Sequence, residues 1–161
     1  MHSAVDWAGW AVFGIAATVT LTGIMVAAQL AGLSRMDIPL MLGTMFTDRP
    51  ERARLVGFLA HLVNGQIFAL GYAAAFTILG RADWWLGALF GAWHGAAALV
   101  VIVPLASGVH PRMATDRSGP ALEAVLEPPG LLALNYGRET PIVALVAHVT
   151  FGAILGTFLS P

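Results

Sequence analysis

The chain has 161 residues, of which 58% are hydrophobic and only 11% charged, and its mean hydropathy is +0.78. A soluble domain carries about a quarter charged residues, so a soluble globule is excluded, and so is a disordered chain. The 8 basic residues are all arginine, the net charge is −1 and there is no cysteine. Nucleic-acid binding therefore has no support, and disulfides, thiolate metal sites and thiol nucleophiles are ruled out.

The charges divide the chain. Seven lie between Leu33 and Arg54, and seven between Ser107 and Thr140. Four stretches carry none: 8–31, 55–79, 85–106 and 141–159. At about 1.5 Å per residue each can cross a hydrocarbon core of about 30 Å. Backbone polar groups in lipid must be paired within the segment, so the stretches predict four transmembrane helices. The expected fold is all-α, an integral-membrane four-helix bundle forming one domain over 1–161, with long loops at 32–54 and 107–140.

The first span lacks a basic segment before it, so it reads as a mature helix and not a signal peptide. In the first loop, Ile38–Phe46 is apolar and is expected to lie on the membrane surface. Asp48, with Glu51 three positions on and Pro50 between them, reads as a capping box opening the second span. In the third span Pro104 ends the helix early or kinks it. The second loop is broken at Ser118–Gly119–Pro120 and Pro128–Pro129–Gly130. Leu122, Val125 and Leu126 between them have helical spacing, which fits a short interfacial helix or a packed loop. Thr140–Pro141 reads as an N-cap and an N1 proline opening the fourth span.

Orientation follows from the arginines. Arg35, Arg49, Arg52, Arg54, Arg112, Arg117 and Arg138 lie in the two long loops, against Arg81 alone on the other side. The positive-inside rule then places both loops in the cytoplasm and both termini outside an inner membrane. Trp7, Trp10, Trp84 and Trp85 fall together at the outer interface, the layer that indoles prefer.

The halves resemble each other. Phe13–Gly14 matches Phe90–Gly91, and Arg35–Met36 matches Arg112–Met113, both 77 residues apart. Ala60–His61 with Gly65 matches Ala147–His148 with Gly152, 87 residues apart. This predicts an internal repeat of two helical hairpins inserted the same way, with a pseudo-axis along the membrane normal. Gly87, Gly91 and Gly95, with Gly152 and Gly156, and Gly23 with Ala27 and Ala31, are spaced as close-packing seams between helices.

Inside the spans the ionisable residues are His61, His94 and His148. Ionisable groups at membrane depth are costly and often functional. Three roles remain open. The histidines can be packing residues hydrogen-bonded to neighbouring helices. They can be ligands: His61 and His148 as an axial pair on haem b, with Gly65 and Gly152 clearing space for the porphyrin, or His61, His94 and His148 around a transition metal. They can line a path for protons or a small solute together with Asn64, Thr18 and Tyr72. In the cytoplasmic loops, Arg35 or Arg112 is placed to meet haem propionates, and His110 and Arg112 cluster with Asp116 and Arg117, a set suited to anionic lipid headgroups. No serine–histidine–acid set fits inside the membrane, and no P-loop or dinucleotide fingerprint is present, so the enzyme class is the weakest.

Met36–Asp37, Met41–Leu42–Gly43, Ala60–His61 with Gly65, Phe90–Gly91, Pro104–Leu105–Ala106 and Ala147–His148 with Phe151–Gly152 span most of the chain. This pattern resembles an uncharacterised family of small four-helix prokaryotic inner-membrane proteins, a domain of unknown function. The resemblance implies a four-helix membrane fold and no activity. Glu127–Pro128–Pro129–Gly130 and Leu134–Asn135–Tyr136–Gly137 depart from the pattern and mark a specialised loop. The expected function is a binding or accessory subunit with an intramembrane histidine site, alone, as a homo-oligomer or in a larger membrane complex. The alternative is a small channel or transporter using the same polar residues.

Overall fold

The computed structural model describes residues 5–114 and 126–160. The candidate helical spacing at Leu122 and Val125 lies outside them. The described secondary structure is helical, apart from one isolated bridge between Met113 and Leu126. The order is α1 (Trp7–Leu30), α2 (Ile38–Gly43), α3 (Pro50–Leu79), α4 (Trp84–Ala97), a π-helical turn (Ala98–Ile102), α5 (Val103–Val109), a 3-10 turn (Leu131–Tyr136) and α6 (Thr140–Phe158).

Four helical stretches are long and apolar enough to cross a membrane: Trp7–Leu30, Pro50–Leu79, Trp84–Val109 and Thr140–Phe158. Each falls on an uncharged stretch. The second begins earlier than its apolar run, because Pro50 opens the helix and the charged turn Glu51–Arg54 continues it out of the apolar zone. The exposed surface is rich in large apolar side chains, among them Leu30, Ile78 and Trp93. Many buried positions are small, such as Ala17, Ala53, Ala69, Ala73 and Ala147. That inversion suits a protein whose surrounding solvent is hydrocarbon, where helices associate by close backbone approach.

The chain divides into two compact units. The first comprises Met1–Ile24, Leu62–Gly95 and Leu145–Pro161. Its tightest seam is glycine on glycine. A Cβ on Gly87 would overlap the carbonyl of Gly152, and one on Gly152 that of Gly87; Gly91 meets the His148 carbonyl and Gly156 that of Asp83. The expected glycine seam between the third and fourth spans is therefore present. A second seam joins α1 and α3. The Trp10 indole donates to the Gln66 carbonyl at 2.8 Å, and the Gln66 amide donates back to the Ala11 carbonyl at 3.1 Å.

The second unit comprises Met25–His61 and Ala96–Ala144. Its segment Ile38–Gly43 packs against the rest of the unit. It forms α2, capped by Asp37, whose Oδ1 accepts from the Leu40 amide at 2.8 Å. Ile38, Pro39, Met41 and Gly43 are buried, and the missing side chains of Gly57 and Gly43 admit Pro39 and Ala53 backbone. Only Met45 and Phe46 of the expected surface stretch are exposed large hydrophobics.

Two boundaries also differ in detail. Thr140 is the first residue of α6, and its hydroxyl pairs with the Ser34 hydroxyl at 2.9 Å. It ties the helix start to the loop after α1. Pro104 neither ends nor breaks its span. The turn before it widens, so that the Val103 amide donates to the Ala98 carbonyl, five residues back. A proline lacks an N–H and crowds the carbonyl four residues earlier, and one wide turn relieves both.

Candidate histidine site

His94 sits at the end of α4 and His148 on α6, both in the first unit. Their rings stand edge to face, with centroids 4.8 Å apart and planes at 80°. Gly91 and Gly95 make this approach possible. A Cβ on Gly95 would lie 3.0 Å from the His148 Cβ, and one on Gly91 would strike the His148 carbonyl. The small residues expected for packing thus also set the spacing of the two imidazoles.

Aromatic rings lie against His94, and both imidazoles are half-buried. Phe68 lies against His94, centroids 4.0 Å apart, and Phe151 stands at 6.0 Å. The Tyr72 hydroxyl is 3.5 Å from His94 Nδ1. Tyr72 is buried and its ring meets Phe76, Phe90 and Phe151 edge-on. One hydroxyl and two imidazoles therefore form a short row of exchangeable protons beside apolar rings. Such groups can accept on one ring nitrogen and donate from the other.

The other predicted residues distribute as follows. His61 belongs to the second unit and His148 to the first. Gly65 is filled by Thr18, whose hydroxyl donates to the Gly14 carbonyl at 2.7 Å. Gly152 is filled by Gly87. These two glycines serve as helix contacts within the first unit. Among the described residues no group of three or more histidine, aspartate or glutamate side chains is placed to hold a metal ion. Thr18 is buried with its hydroxyl turned back onto its own helix, and Asn64 is exposed, so neither joins the Tyr72–His94–His148 row.

Among the predicted loop residues, Asp116 and Arg117 lie outside those described, and the others form two clasps within the second unit. Buried His110 meets the Met41 carbonyl through Nε2 at 2.8 Å and accepts from the Arg112 amide through Nδ1 at 3.1 Å. This sets the tautomer with the proton on Nε2. The Arg112 guanidinium donates to the Thr44 carbonyl at 2.6 Å. Arg35 forms the other clasp. It pairs with Glu127 at 3.1 Å, donates to the Asn135 carbonyl, and its amide donates to the Tyr136 carbonyl at 2.7 Å. Tyr136 donates to the Glu127 carbonyl at 2.5 Å. Burial and the nearby Glu127 charge push its phenol up to about 12. The arginines and histidine are engaged with protein carbonyls, which is a structural use of all three.

Gln66 was not anticipated among the polar residues of the spans. It bridges α1 and α3 through both its backbone and its side chain. The signal was available as an uncharged polar residue within a charge-free stretch, but a search for ionisable groups passes over it.

No family model, curated protein or solved structure matches the chain. The four apolar helices are compatible with a small multi-pass membrane protein. Function must be argued from the site.

Proposed function

We propose that the protein binds and passes protons within the membrane at the His94–His148 pair, with Tyr72 as the adjoining hydroxyl. The edge-to-face contact of the two imidazoles carries this reading. In hydrocarbon, ionisable side chains mark proton relays far more often than they mark lipid-facing surface. The glycines filled by neighbouring helices favour proton exchange over a bound porphyrin. In this reading the arginine-rich loops face the cytoplasm, both termini lie outside, and the membrane is the inner membrane of the cell.

The test is proton uptake into liposomes driven by an inside-negative potassium diffusion potential, read with a trapped pH dye. Wild-type protein is expected to carry current that His94→Ala and His148→Ala each abolish. Wild-type flux no greater than that of empty liposomes would overturn the proposal. An absorption spectrum with metal analysis on the same sample adds a second readout. A haem band or stoichiometric metal lost with His148→Ala would replace proton transfer with ligation.

A further inference from the structure

Asn64 stands halfway along the 30-residue α3, about 20 Å from either end. It is exposed, and its carboxamide has no hydrogen-bond partner among the described residues. Its neighbours on that face are Ile67, Phe68, Gly71 and Ile78, all exposed. A Cβ on Gly71 would meet nothing within 4 Å. Water satisfies an exposed amide in a soluble protein. Hydrocarbon cannot, and an amide left without a partner there is strongly disfavoured.

We infer that this face of α3 is a dimer interface, occupied by the same face of a second copy of the chain. Three observations select that occupant. A carboxamide is both donor and acceptor, so it is complementary to itself. A second copy inserted the same way brings its own Asn64 to the same depth, where a two-fold axis makes the contact reciprocal. Gly71, two turns along, removes the side chain that would hold the helices apart. An acyl chain offers no hydrogen bond, and an unrelated helix would need a polar group at this one depth. The inference does not depend on proton transfer, since the histidine pair lies within one chain.

The experiment uses the full chain at low density in liposomes. Because the chain has no cysteine, Ser160→Cys gives a single dye site for counting subunits by photobleaching. Wild type is expected to bleach in two steps. Asn64→Leu should weaken association about tenfold, and Asn64→Gln should retain it. Oxidation should cross-link Ile67→Cys between copies, while Leu89→Cys, exposed on α4, should dimerise without cross-linking. Single-step bleaching of wild type at every density would mean that lipid or another protein covers the face, and would overturn the inference. So would dimers that Asn64→Leu leaves unchanged. Helicity measured on each variant separates lost association from lost folding, and Asn64→Ala provides a smaller second change at the same site.

Discussion

The ring of His94 meets the ring of His148 edge to face at 4.8 Å, beside Gly95, where a Cβ would lie 3.0 Å from the His148 Cβ. Proton exchange and packing therefore use the same surface, and a substitution must separate them. His148→Phe keeps an aromatic ring against His94 and removes every exchangeable proton. We expect it to fold with near wild-type thermal stability and to lose proton flux. If flux persists in His148→Phe, the ring acts only by filling space. Tyr72→Phe is the milder counterpart, expected to lower flux without abolishing it.

Gly87 and Gly152 each lie against the other's backbone carbonyl. Gly87→Val or Gly152→Val must push α4 and α6 apart, an overpacking cost of about 1–3 kcal/mol or more. Gly23 has open space around it, and Gly23→Ala in mid-helix should be neutral or stabilising by up to about 1 kcal/mol. Thermal melts in detergent check the contrast. Equal effects at the three positions would show that the seam is not set by backbone contact.

Tyr136 holds its proton to about 12 because its phenolate would be buried beside Glu127. In the unfolded chain a tyrosine titrates near 10. The folded state thus binds the proton more tightly. The resulting stabilisation is complete below about pH 10 and is lost as the pH rises through about 12. Tyr72→Phe leaves Tyr136 as the only tyrosine, so its tyrosinate absorbance can be followed alone. Glu127→Gln should lower the midpoint and Arg35→Ala should raise it. The Arg35–Glu127 pair is exposed and contributes at most about 1 kcal/mol, so Glu127→Gln should barely change the melting temperature.

His110 and Arg112 fasten the end of α5 to the carbonyls of Met41 and Thr44. His110→Ala removes one of two donors to the Met41 carbonyl, the Thr44 hydroxyl at 3.1 Å being the other, at a cost of about 0.5–1.5 kcal/mol. Hydrogen exchange should rise across α2 and Thr44. Arg112→Lys should lose part of the same protection, because a single ammonium replaces the guanidinium fork.

The charge pattern made the four spans legible, because a charge-free run long enough to cross a bilayer needs no tertiary information. The glycine seam of α4 and α6 was legible because four-residue spacing fixes a helix face, but the same spacing at Gly23, Ala27 and Ala31 marks residues that are exposed. The pairing of His94 with His148 was not. Sequence symmetry matched His61 with His148, but which helices meet depends on fit, and Gly91 and Gly95 bring α4 onto α6. Asn64 was misjudged for a related reason. It neighbours Gly65 in sequence, yet one step of about 100° turns it from the packed face to the exposed one. Thr18 looked available for a polar path until its hydroxyl was seen to bond its own helix, a bond that any mid-helix threonine can make.

The wide turn at Ala98–Ile102 has a consequence for the phase of its span. An α-helix advances about 100° per residue, and a turn that holds one residue too many shifts all later side chains by that angle. Faces counted from Trp84 are therefore wrong beyond Val103, and α5 keeps a register of its own. The span carries its spare residue at a known place. Removing one residue from 98–102 together with Pro104→Ala should yield an unbroken α-helix, whereas the same deletion within Trp84–Ala97 would rotate His94 away from His148.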